Sequence, residues 1–494
     1  MFYFEERNGV MELSLHNVGI IRDSKVKLDG LTVITGKNSS GKTTVGKVVY
    51  SLIAAGSNPV EAFEESRSSY ICSQLRAVES TLRLRRARQM RRPDRKYTGE
   101  YYDLVTALTM HRFIRFDINE LVDFLMATRS FVAALSLEAY KEYFLIDEKG
   151  IIVAPSNFLD TVSDSFEEWR ERALIICENT IELINDNDTF YRFLKDRTAA
   201  FLNHEFNKQI RPVRARASVA HITLSDQGKV IVSSKVRSKD LIEFSDDTTF
   251  LYPYDKCIFI DNPFVIDQLD DYENLDSYGY VRLSEDEHPK ALITSEDIES
   301  RDDGLIRLLM QGEKKNFFSD LEIQKKYGDV FAQINNIVPG EFARTSDGVF
   351  YVEEGSKLSV KNLATGSKMF FIIKKLLRNG LLDDTTVLVL DEPESHLHPE
   401  WINKFAEILV ILIKNIRLNV LLTTHSPNLM LALNVHAKKA GIVSNSHFYL
   451  AEKMPNSHYS QIRCIDDSIG EGYSHLSLPL VEMNLQLEAL TAEE

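Results

Sequence analysis

The sequence predicts an α/β fold built from the two ends of the chain around a large, mostly helical insertion with a small β element. Three observations predict it. Short β-branched strands and a glycine-rich loop occupy the first sixty residues. From Leu358 to Val420 and on into the tail, buried strands again alternate with helices. Between these regions apolar residues recur at three- and four-residue spacing, with few glycines or prolines. The expected division is therefore 1–60 and 331–494 for the α/β head and 61–330 for the insertion.

Leu13 and Leu15, then Val26 and Leu28, alternate with polar neighbours as half-buried strands do. The run 31–35 is a buried strand. After the Gly-rich segment 36–41, Val45, Val48, Val49 and Leu52 fall on one helix face. In the insertion, 100–146 and 157–206 read as helices, with Phe166, Trp169, Leu174, Ile175 and Ile181 forming one apolar stripe. From Ala220 the period changes to two, through Ile222, Leu224 and Val230–Val232, with a turn at Asp226–Gly228. Residues 257–261 are another buried strand, stopped by Asn262–Pro263. The acid-rich stretch 270–303 reads as a solvated loop. Strands at 446–451 and 459–465 and a final helix near 480–491 close the chain.

At 494 residues, 44% apolar and 27% charged, the chain has globular composition and room for about three domains. No apolar run reaches the roughly 18 residues of a membrane span, and the acidic start has no signal-peptide pattern. Cys72, Cys177, Cys257 and Cys464 are far apart with no C-x-x-C pair, which argues against a disulfide framework and for a reduced, cytoplasmic setting. The net charge of −15 excludes a general polyanion binder, yet residues 83–96 hold eight basic side chains and one acid. Arg211, Arg214 and Arg216 form a smaller basic group.

The chemistry lies in four motifs. Gly36-Lys-Asn-Ser-Ser-Gly41-Lys42-Thr43 satisfies G-x-x-x-x-G-K-S/T between a strand and a helix. Its glycines let backbone N–H groups curl around phosphates, the helix presents its positive end, Lys42 reaches the β/γ oxygens and Thr43 ligates Mg²⁺. About 350 residues downstream, Val387-Leu-Val-Leu-Asp391-Glu392 brings two carboxylates to the end of a buried strand. Asp391 is expected to hold Mg²⁺ through water, and Glu392 to orient the attacking water as base. Thr423-Thr-His425-Ser-Pro427 ends another strand, where His425 is placed to polarise the γ-phosphate. Thr365-Gly366 opens a helix and offers a second anion-binding end, one that would serve a second chain.

These four motifs, in this order, resemble the ABC-type ATPases, in particular the SMC/RecF/OLD branch of soluble ATPases. GKNSSGKTT resembles Walker A, VLVLDEPESHLHP resembles Walker B running into the D-loop, LATGSK stands in the signature position and TTHSP is similar to the switch-histidine loop. The signature departs from the transporter pattern at Ala364, Thr365 and Ser367. The resemblance implies a split ABC-type P-loop head with ATP and Mg²⁺ as cofactors. It implies nucleotide contacts from Gly36, Asn38, Ser39, Ser40, Gly41, Lys42, Thr43, Thr44, Thr365 and Gly366, and metal ligation by Thr43 and Asp391. Glu392 and His425 would be catalytic, with Ser395 in the D-loop. Asn262 is the candidate for the missing Q-loop glutamine. It further implies a homodimer or higher homo-oligomer sandwiching ATP. Members of this branch serve as sensors in defence systems with a separately encoded nuclease or toxin. A RecF/SMC-like DNA-binding ATPase in repair is the alternative.

Glu394, His396 and His398 are read as D-loop packing rather than a metal cluster. After His425 no Toprim-like D-x-D appears, so a nuclease in the same chain is not expected. The basic segment 83–96 is expected on the insertion, with Arg85, Arg86 and Arg88 facing an acidic partner protein or nucleic acid.

Overall fold

The computed structural model describes residues 10–81, 118–137, 156–186, 188–213, 219–237, 241–269, 293, 298–311, 317–345 and 348–492. Its main feature is an eleven-stranded sheet. Five parallel neighbours form one side: β13 (Ser446–Lys453), β3 (Leu31–Gly36), β12 (Asn419–Thr424), β11 (Thr386–Asp391) and β7 (Lys256–Ile260). The sheet continues beyond β13 through β14 (Ser460–Cys464), β2 (Ile21–Leu28), β1 (Met11–Val18), β4 (Ala220–Asp226), β5 (Lys229–Val236) and β6 (Ile242–Phe244). From β2 to β6 the pairings are antiparallel. The strand carrying the glycine loop and the strand carrying the two acids are thus separated by the one ending in Thr423-Thr-His425.

Alternation of side chains dictates the layers. On one face Leu31, Val33, Ile258, Ile260, Leu388, Leu390, Val420 and Leu422 share a core with Phe370, Phe371 and Phe405 from helices Thr365–Arg378 and Pro399–Ile416. On the other, Val389 and Phe259 meet helix Lys42–Ala55 at Gly46, where a Cβ would lie 3.1 Å from Val389 Cγ1 and 3.2 Å from Phe259 Cε2. β3 is buried at all six positions, which fits a strand with parallel partners on both sides and helices on both faces. The predicted α/β fold is the fold observed, and residues 197–279 join the two chain ends in it.

Two compact units emerge from the contacts. One comprises the described residues of 1–57, 197–279 and 294–494; the other, those of 58–196 and 280–293. In the second, helices Pro59–Thr81, Ile118–Ala134 and Ser156–Asn185 pack around Ile71, Leu75, Leu121, Leu125, Phe166 and Cys177. The strands read at 220–232 and 257–261 do not form a separate element of the insertion. Parallel and antiparallel ladders place them in the main sheet as β4, β5 and β7. A three-stranded antiparallel sheet, β8 (Glu341–Thr345), β9 (Gly348–Glu353) and β10 (Ser356–Ser359), was not legible as strands in the sequence. Its hairpin turns at Glu354 and Gly355, both with positive φ. The basic segment 83–96, Arg214, Arg216 and most of the acidic loop 270–303 lie outside the described residues. No described helix is long and apolar enough to cross a membrane.

Gly46 lets the helix behind the glycine loop approach β7 and β11. Gly46→Val places three extra carbons where Val389 and Phe259 already stand, and is expected to cost about 1–3 kcal/mol by overpacking. Denaturant unfolding measures it; an unchanged midpoint would show that this contact does not set the helix position.

Candidate functional site

The C-terminal ends of β3, β11 and β7 open onto a cleft of about 650 Å³. Asn38, Ser39, Ser40, Gly41, Lys42, Thr43 and Thr44 line it together with Asp391, Glu392 and Ser395. The loop curls because Ser39 and Gly41 take φ of 58° and 96°. A Cβ at Gly41 would come within 2.8 Å of Ile21 Cγ1, so packing and backbone both demand glycine. Turns of this kind aim successive amides inward, and helix Lys42–Ala55 starts at once behind them.

Lys42 is 4% exposed. Its Nζ donates to the carbonyls of Gly36 at 2.9 Å and Lys37 at 3.1 Å, and lies 3.3 Å from Glu392 Oε1. The other Glu392 oxygen is 3.2 Å from His425 Nδ1. Glu392 therefore bridges the lysine and the histidine. Its backbone is left-handed, φ 50° and ψ 49°, a conformation costing a side-chain-bearing residue roughly 1–3 kcal/mol. Thr423 holds it there: the Glu392 amide donates to the Thr423 carbonyl at 3.1 Å and hydroxyl at 3.2 Å.

Asp391 accepts from the Thr43 hydroxyl at 2.9 and 3.1 Å and from the Thr423 hydroxyl. Burial raises its pKa above the usual carboxylate range, although the two hydroxyls pull it back; the charges of Glu392 and Asp261 add to the rise. Glu394, 5% exposed, is raised by burial too. Its Oε1 accepts from the Thr424 hydroxyl at 2.5 Å and the His425 amide at 3.1 Å, fixing the histidine loop against the acidic loop.

The opposite wall includes Gly19, Ile20, Lys47, Glu205, Phe206, Asn207 and Asp261. Arg301 lies over the Phe259 ring at 4.3 Å and ion-pairs with Asp261 at 2.9 Å and Glu205 at 3.2 Å. Sequence reading missed this wall. Asp261 could have been found at the end of the predicted strand 257–261; Glu205 and Arg301 carry no local signal. Asn262, suggested for the Q-loop position, instead spends its side chain accepting from the Phe264 amide at 3.0 Å as the cap of a short 3₁₀ helix. Asp261 is the residue on the wall.

Thr365 and Gly366 are not on this wall. They begin helix Thr365–Arg378, where a Cβ on Gly366 would meet Leu397 Cδ2 at 3.1 Å and the His396 carbonyl at 3.4 Å. The adjacent Lys368, 2% exposed, is tied to Asp267 and lies 5.0 Å from the Phe264 ring centre. Among the described residues no group of three or more His, Cys, Asp or Glu is placed to hold a metal ion. A hydroxyl and a carboxylate, Thr43 and Asp391, do suit Mg²⁺, which takes few protein oxygens and keeps phosphate and water for the rest. A triphosphate also fits: the Ser40 hydroxyl is buried inside the loop without a hydrogen-bond partner.

A family model described as the AAA ATPase domain matches residues 10–430. No curated protein matches the chain. Among solved structures the chain is similar to the SMC head domain from Thermotoga maritima, with 10% identity, 92% of this chain and 98% of that one covered, and a TM-score of 0.36. It is similar also to an Smc head domain with an extended coiled coil, bound to the C-terminal domain of ScpA, from Pyrococcus furiosus. There the identity is 11%, the coverage 92% and 96%, and the TM-score 0.30. An Smc head domain with a coiled coil and joint from Pyrococcus yayanosii gives 10%, 95% and 99%, and 0.33.

Thr423 joins both acids, a role its place in the motif did not disclose. Thr423→Val keeps the shape and deletes the hydroxyl. Losing a hydrogen bond to a charged group costs about 1.5–3 kcal/mol, so ATP turnover is expected to fall roughly 10- to 100-fold with the fold intact. Parental turnover would remove Thr423 from the machinery.

Proposed function

The chain belongs to the AAA ATPase domain family, and from that premise we propose that it binds Mg-ATP in the cleft and hydrolyses it at a head-to-head dimer interface. The observation that carries the reading is the chain of contacts Lys42–Glu392–His425 beside Asp391–Thr43. Loop amides and Lys42 take the β- and γ-phosphates. Thr43 and Asp391 would hold Mg²⁺, which would supply charge neutralisation on the phosphate oxygens. Glu392 accepts the proton of a water whose oxygen bonds to the γ-phosphorus as the bridge to the β-phosphate breaks. His425, anchored by Glu394, steadies Glu392 and polarises the γ-phosphate under attack.

In this state Glu392 competes with phosphate for Lys42. Binding a triphosphate relieves that competition and leaves Glu392 free for water. Thr365 and Gly366, off the wall of their own cleft, are free to complete the partner's site. We assign the chain the role of sensor or scaffold that controls a separately encoded effector, a nuclease or toxin. Four free cysteines fit a reducing, cytoplasmic setting for it.

Two experiments test this reading. Glu392→Gln removes the base and weakens the hold on Lys42. Hydrolysis is expected to drop about 10²- to 10⁴-fold, while ATP affinity is kept or improved; parental hydrolysis would sink the assignment of the base. For the dimer, Lys42→Ala chains are mixed with Gly366→Val chains. One composite site stays intact, so activity is expected to return in the mixture. No recovery, with mixed dimers demonstrated, would count against the sandwich.

A further inference from the structure

We propose that helix Ile469–Ala492 is a second self-association surface, pairing with its counterpart in another copy of this chain without nucleotide. The helix begins on the body. Gly472 passes so close to Met430 and Ile465 that a Cβ would lie 2.6 Å from Met430 Cε, and Leu476 packs against the main core. From Leu478 on, its large apolar side chains turn outward. Leu480 is 60% exposed, Met483 64%, Leu485 60% and Leu490 64%, with Leu478, Val481 and Leu487 in the same range. A helix apolar on more than one side belongs in an interior, and seven large apolar side chains in thirteen residues exceed the scatter of a soluble surface.

The spacing tells what fits. Leu476, Leu480, Met483, Leu487 and Leu490 recur at intervals of four, three, four and three. This is the seam of a helix pair, in which each knob enters a hole of the facing helix. The face that Leu476 lays on the body thus runs on past it. The positions flanking the seam choose the partner. Here they are Ser477, Pro479, Asn484 and Gln486, all uncharged, so two identical helices meet no like-charge repulsion there. Glu482 and Glu488 stand away from the seam. The chain as a whole is at −15, which makes such an uncharged strip the favourable place for two copies to touch.

Area agrees. At roughly 100 Å² per exposed side chain, the four exposed seam residues contribute on the order of 400 Å² per copy and the other three about 300 Å², so the ~800 Å² per partner of a standard stable interface is approached when both sides are covered. Leu478, Val481 and Leu485 form a second stripe on the opposite side, so covering both takes two such pairs. An even-numbered assembly, a dimer or a pair of dimers, is expected.

The test is the mass of the full chain in solution by sedimentation or light scattering, at micromolar concentration, without nucleotide and with EDTA. The parent is expected at twice or four times 56.5 kDa. The double variant Leu480→Glu with Met483→Glu removes the seam pair and is expected to fall to half the parent's mass or less, the dissociation constant of that contact raised at least 100-fold, with ATP binding and thermal midpoint kept. The sites are exposed, so the variant should fold; Leu480→Ala with Met483→Ala, with an intermediate loss, guards against the contrary. A monomeric parent overturns the proposal, as does a variant of parental mass. A monomeric parent that floats with phosphatidylcholine vesicles would assign the helix to a lipid surface. Because nucleotide is absent, failure here leaves the ATP sandwich untouched, and failure of the sandwich leaves this contact untouched.

Discussion

Burying the ammonium of Lys42 is the constraint around which the site is arranged. A lysine 4% exposed needs its charge met. Two loop carbonyls and Glu392 meet it. That requirement fixes the curl of the glycine loop, since the carbonyls of Gly36 and Lys37 must turn back toward the first turn of the helix. It also fixes the left-handed backbone of Glu392, which brings its carboxylate over the lysine rather than out along the strand. A buried pair adds little net stability once desolvation is counted. Its value is as a held charge that a phosphate can take over.

The parallel register converts sequence into this arrangement. Leu390 pairs with Leu422 and Asp391 with Thr423, while Thr424 pairs with Thr35 just before the glycine loop. Residues from three distant parts of the chain therefore end at one level. Thr423, on the central strand of the three, reaches the carboxylate of Asp391 and the amide of Glu392. Glu394 ties the histidine loop to the same edge from behind, and burial holds its pKa up.

The far wall follows a different logic. Arg301 opens helix Arg301–Gln311 and faces acids from β7's end and from helix Thr189–Glu205. A guanidinium lying flat on Phe259 while pairing with two carboxylates uses its planar fork fully. This wall has no motif. It arises because β7 is the edge strand of the parallel set, so whatever follows Ile260 borders the cleft.

The sequence by itself determined the elements that rest on local rules: the strand–glycine loop–helix unit at 31–55, the apolar strand ending in Asp391 and the one at 419–422 before Thr423, and the strands and helix of the tail. Period, glycine placement and strand-end acids are short-range properties, readable one segment at a time. Tertiary structure alone decided that 220–260 joins the main sheet, that Asp261 rather than Asn262 borders the cleft, and that Thr423 links both acids. It alone paired Arg301 with Glu205, across ninety-six positions. Strand pairing and ion pairing at such separations depend on which surfaces meet in space. No residue's neighbours in sequence carry that information, so only the folded chain could supply it.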